Sequence, residues 1–179
     1  DTQIATTDHA PGVLRYFVMT RILSHCAGVP EALEVLASLP HAGGGTIVMA
    51  DRLGRVAAVE LGASRLAIEK NTEFVMRTNH FVSRELERAT LAQNGEPMSA
   101  SSKARLGFLR ERIPGRTWSA EAAHMLMGSH HGEGALCRHG EDGDARTISS
   151  VVFALASATL YLTDGFACTG TRSRFRLEA

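Results

Sequence analysis

The sequence predicts an α+β fold with a largely antiparallel sheet, and two observations carry that expectation. Apolar residues recur at helical spacing in two separate blocks. Between those blocks they fall in short alternating runs, joined by turns too short to hold a crossover helix. Strands that follow strands pair antiparallel, whereas parallel sheets need strict alternation with helices. At 179 residues the chain is one domain long, and a single domain over 1–179 is expected. Hydrophobic residues at 44% and charged residues at 21% exclude a disordered chain, a coiled coil and a collagen-like fibre.

The elements follow in order. Val13, Leu14, Phe17, Val18, Ile22 and Leu23 give a first helix, which stops near Cys26 because Gly28 and Pro30 follow. Pro30 opens a second helix as its first residue, with Glu31 in the positive first turn and Leu33, Leu36 and Leu39 on its apolar face. Gly43-Gly44-Gly45 reads as a connector, since a phosphate loop needs glycines between strand and helix, and a Lys. Strands are expected at Thr46–Ala50, Arg55–Glu60, Arg65–Glu69 and Glu73–Arg77, with a tight turn at Asp51–Gly54. A polar stretch runs to Pro97. Ser99 to Ser102 supply helix-start chemistry for a helix through Ile113, and Ser119 caps another. A Gly-, His- and acid-rich loop spans His130 to Asp144. Thr147–Leu155 and Thr159–Thr163 form a closing hairpin.

Charge and composition exclude several function classes. Nineteen basic and nineteen acidic residues cancel, and a pI near 7.3 leaves no electrostatic footprint for nucleic acid. All the basic residues but Lys70 and Lys103 are Arg, a codon signature of GC-rich bacterial genomes. No apolar run approaches the roughly 18 residues of a membrane span. The first residues show no basic segment ahead of an apolar one, though the chain does not begin with Met and a removed leader stays open. Cys26, Cys137 and Cys168 are widely spaced, with no C-x-x-C pair, and read as reduced thiols of a cytoplasmic protein.

Three groups of residues offer chemistry. Thr78-Asn79-His80-Phe81 follows an apolar run, where the end of a strand places side chains rigidly at the rim of a sheet. Asn79 there offers an amide donor suited to an oxyanion hole, and His80 orients a partner or exchanges a proton. The bland alternative is an Asn that turns the chain beside a solvated His. Arg146, ahead of an apolar strand, has the fork that holds a carboxylate. Finally, His124, His130, His131, Glu133, Cys137 and His139 lie close together, and His130, Cys137 and His139 are within reach of one zinc ion. Their spacing matches no known ligand pattern, so a metal-dependent hydrolase stays the weaker alternative and no metal or cofactor is expected in the leading reading.

Taken in chain order, these pieces resemble the acyl-coenzyme A:isopenicillin N acyltransferase-like N-terminal nucleophile hydrolases, the C45 cysteine peptidase family. The resemblance rests on Pro11-Gly12-Val13, Pro30-Glu31-Ala32, Ala50-Asp51-Arg52-Leu53-Gly54 and Val59-Glu60. Thr78-Asn79-His80-Phe81, Cys137-Arg138-His139, Thr147 to Val152 and Tyr161 to Gly165 complete it. It implies a four-layer αββα sandwich, incomplete if strands lie outside this chain. It also implies a precursor that cuts itself to expose an N-terminal Cys, which attacks an amide or thioester with its own α-amine as base. The acyl group passes to water or to an amine. Asn79 would then serve the oxyanion hole, and Arg146 would line the site.

The chain departs from that pattern at its start, where Asp1 stands instead of Cys. The expectation is therefore the C-terminal portion of such an enzyme, inactive alone and completed by a second chain or segment that carries the Cys. Unpaired sheet edges would receive that partner. The alternative is a non-catalytic descendant that kept the fold for binding or assembly.

Overall fold

A computed structural model of the chain describes residues 6–71, 73–91, 100–140 and 145–177, apart from the Glu133 side chain. The chain forms two compact units, Asp1–Leu106 and Gly107–Ala179. Helices and two three-stranded antiparallel sheets make it an α+β protein, as the sequence predicts. Among the described residues, no helix is long and apolar enough to cross a membrane.

In the first unit, α1 (Arg15–His25) and α2 (Val29–Ser38) precede β1 (Thr46–Ala50), β2 (Val56–Leu61) and β3 (Leu66–Asn71). The strands pair in sequence order, with Ile47 opposite Val59 and Val59 opposite Ile68. Val18 of α1, Val29, Leu33 and Leu36 of α2, and Ile47, Ala57, Val59 and Leu61 of the sheet share one core. The glycine run is a connector, as expected. Gly45 has φ +90°, and a Cβ there would run into the Arg15 guanidinium, so only glycine fits.

The Asp51–Gly54 turn does more than reverse the chain. Asp51 accepts from the Val29 N–H at 3.0 Å, so its carboxylate caps the N-terminus of α2 where Gly28 has no side chain to do so. It also accepts from Arg55 Nε at 2.6 Å, Arg55 N at 3.2 Å and Leu53 N at 2.9 Å. Burial works against ionisation of Asp51, but these donors outweigh it and hold the carboxyl below its ordinary value of 3.8. A carboxylate with a lowered folded pKa stabilises fully above its unfolded value, and that stabilisation is lost as pH falls through the folded one. The thermal midpoint should therefore drop on acidification below about 3.8. Asp51→Asn should flatten that part of the profile, and an unchanged acid limb would refute the capping role.

The expected fourth strand, Glu73–Arg77, is a correction. The segment forms no strand, and its Arg77 side chain is engaged with the sheet instead. Arg77 reaches Glu60 of β2 and Glu69 of β3, which point to the same face. The polar stretch that follows holds a short helix, α3 (Arg84–Arg88), which the sequence reading missed. α4 (Ala100–Arg112) runs through the division between the units, and the expected Ser99 start and Pro97 lie outside the described residues.

In the second unit, α5 (Ala120–Met127) is capped by Ser119, whose Oγ accepts from Ala122 N at 3.1 Å as anticipated. β4 (Ser149–Ala154) and β5 (Thr159–Asp164) form the expected hairpin with slightly shifted ends. A third strand, β6 (Thr171–Arg176), pairs with β5 and was not expected. His124 of α5 is buried against Thr163 of β5, and burial pushes its pKa below the ordinary histidine value.

Candidate active site

The Thr78–Phe81 segment follows chain that forms no strand, so Asn79 is not held at a strand end as the sequence suggested. It is instead held between two clamps. The first is Glu60, whose side chain is fully buried on β2. Its Oε1 accepts from Val82 N at 2.6 Å, and its Oε2 accepts from Ser83 N at 3.0 Å and Ser83 Oγ at 2.6 Å. Arg77 Nε lies 3.2 Å from Oε1 and supplies the counter-charge, while Arg77 Nη2 meets Glu69 at 2.7 Å. One carboxylate thus fixes the chain on both sides of residues 78–81. Phe81, completely buried with Leu86 of α3, anchors the same turn in the core.

The second clamp is α4. Ser102 Oγ accepts from the Asn79 N–H at 2.8 Å and lies 2.9 Å from His80 Nδ1 and 3.1 Å from Thr78 Oγ1. Thr78 Oγ1 donates to the Ser102 carbonyl at 2.9 Å. The buried His80 ring is therefore committed through Nδ1 to Ser102 and Thr78, at the foot of the turn. One turn along α4, Arg105 donates from Nη2 to Asn79 Oδ1 at 2.6 Å and from Nε to the Ser101 carbonyl at 3.2 Å. A guanidinium only donates, so the atom facing it is the amide oxygen and the NH₂ group is turned away from Arg105. Polarising the carbonyl end also strengthens the N–H groups as donors. Arg105 thus holds the Asn79 amide in one orientation.

Asn79 and His80 were singled out in the sequence as following a strand, and the structure holds them through other contacts. Ser102, Arg105 and Glu60 were not singled out beside them, because each reaches this segment through tertiary contacts. The signal for Glu60 was available: it is a lone carboxylate within the apolar run Val56–Leu61. Arg146, the third expected site residue, lies in the second unit. It is exposed, with its guanidinium 5.1 Å from the Phe166 ring centre. The same unit brings His130, Cys137 and His139 together, and adds Cys168. His124 is instead tied to Thr163, and His131 packs on Phe108.

A family model described as acyl-coenzyme A:6-aminopenicillanic acid acyl-transferase matches residues 3–165. No curated protein matches the chain.

Proposed function

We propose, for a chain that belongs to the acyl-coenzyme A:6-aminopenicillanic acid acyl-transferase family, that it forms the oxyanion-stabilising part of an N-terminal nucleophile acyltransferase or amide hydrolase. Acyl transfer or hydrolysis is the activity the family suggests; the mechanism that follows is our reading. The nucleophile is an N-terminal Cys on another segment or chain, released by self-cleavage of a precursor. Its α-amine takes the thiol proton as sulfur adds to the carbonyl of an amide or thioester. Negative charge develops on the carbonyl oxygen, and the Asn79 Nδ2–H stabilises it. Collapse expels an amine, which receives the proton, or a thiolate, and leaves an S-acyl enzyme. Water or an acceptor amine then takes the acyl group and frees the thiol. His80 and Arg105 position Asn79.

The observation that carries this reading is the Arg105 contact at 2.6 Å, which orients and polarises the Asn79 amide. Cys26 caps the C-terminal end of α1, and this reading gives it no part in the chemistry. β1 and β3 each have one strand partner among the described residues, which leaves edges for the completing segment. The test is to find which thiol carries the acyl group during turnover. It should be the N-terminal Cys, and Cys26→Ala should turn over as the parent does.

A further inference from the structure

Away from Asn79, four side chains of the second unit converge in a way the acyl-transfer reading does not use. The ligand-capable atoms of His130, Cys137, His139 and Cys168 all lie within 4.8 Å of one another. Cys137 Sγ and Cys168 Sγ are 3.6 Å apart, Cys168 Sγ is 3.3 Å from His139 Nε2, and Cys137 Sγ is 3.9 Å from the same nitrogen. Zinc–sulfur bonds of about 2.3 Å and zinc–nitrogen bonds of about 2.0–2.1 Å, at tetrahedral angles, require edges of roughly 3.8 Å between sulfurs and roughly 3.5 Å between sulfur and nitrogen. The three measured edges match one face of that tetrahedron. Weak thiol hydrogen bonds account for a pair of such contacts, but not for His130, whose ring centre is brought to 4.9 Å from that of His139.

The backbone on both sides is fixed by contacts of its own. Leu136 N and Cys137 N both donate to the Ser129 carbonyl at 3.1 Å, which sets the loop after α5. Gly170 N donates to the Phe166 carbonyl at 2.6 Å and closes the β5–β6 turn that carries Cys168. That turn packs close to the end of α5, where a Cβ on Gly128 would come 3.2 Å from Cys168 Cα. His139 stacks on Phe166 at 4.0 Å, which holds the imidazole plane. A cavity of about 420 Å³, lined in part by His130, Cys137 and His139, gives an ion a way in.

We propose that His130, Cys137, His139 and Cys168 bind one thiophilic divalent cation, zinc in particular, in a closed tetrahedral site that staples the loop after α5 to the β5–β6 turn. Four protein ligands leave no open position for a water nucleophile, so the ion is structural rather than hydrolytic. Binding replaces the two thiol protons, which pass to solvent, and forms two metal–sulfur and two metal–nitrogen bonds.

The test is titration of Co²⁺ alone into the reduced, metal-free full chain. One equivalent should give the intense visible bands of tetrahedral cobalt with a thiolate-to-cobalt charge-transfer band. One equivalent of Zn²⁺ should bleach them and raise the thermal midpoint. Cys168→Ser and His130→Ala replace exposed residues, so the fold should persist, and each should weaken Co²⁺ binding by at least about tenfold. Cys26→Ser should bind as the parent does. Absence of the charge-transfer band in the parent chain, or an unchanged titration in both Cys168→Ser and His130→Ala, would overturn the site.

Discussion

Asn79→Ala should lower kcat on amide and thioester substrates by about 10²–10³, the cost of removing one oxyanion donor from a preset site. The donor acts on charge that exists only in the transition state, so KM should change far less than kcat. The fold should survive, because the turn is held by groups other than the Asn79 side chain. Glu60 grips Val82 and Ser83, Ser102 accepts from the Asn79 backbone rather than its amide, and Phe81 is buried beside them. Losing the amide does leave Arg105 without an acceptor it now holds. Turnover of the Ala variant within about threefold of the parent would remove Asn79 from the mechanism, since that is far below what one such donor contributes.

Glu60→Ala should be the most destabilising single change in the first unit. The carboxylate is wholly buried, accepts three hydrogen bonds and faces the nearly buried Arg77. Removing one member of such a pair leaves a buried charge uncompensated, at a cost of about 3–5 kcal/mol. For a chain of this size that corresponds to a fall of roughly 6–20 °C in Tm. Glu60→Gln keeps the shape but turns one acceptor into a donor facing N–H groups, so it should also destabilise. A Glu60→Ala protein that melts within about 2 °C of the parent would show that the clamp contributes little. Because the clamp sets the turn that carries Asn79, loss of activity should accompany the loss of stability here. Asn79→Ala should lose activity alone.

The parts of the fold legible in the sequence are those whose pattern is local. α2 announces itself by Pro30, Glu31 and the Leu33–Leu36 face, and the β1–β2 hairpin by its apolar runs around Asp51–Gly54. β6 was not legible because Thr-Arg-Ser-Arg-Phe-Arg offers no apolar face, and its residues are all exposed. α3 has a single buried residue, Leu86, too few to show a period. The Glu73–Arg77 run alternates as a strand does, yet the Arg77 ion pairs decide where it lies. The same division holds at the sites. Asn79 and His80, and the trio His130, Cys137 and His139, sit close together in the sequence. Glu60, Ser102, Arg105 and Cys168 join them only through tertiary structure, and Cys168 is 31 positions from Cys137.

The most direct test is the intact mass of every polypeptide in the active sample, quenched by denaturant within the first turnovers of an acyl thioester. The account predicts one acyl group on a polypeptide that begins with Cys, separate from this chain or continuous with it, with Cys26, Cys137 and Cys168 unmodified. An acyl group on Cys26, Cys137 or Cys168, or turnover with no Cys-initiated polypeptide present, would contradict it.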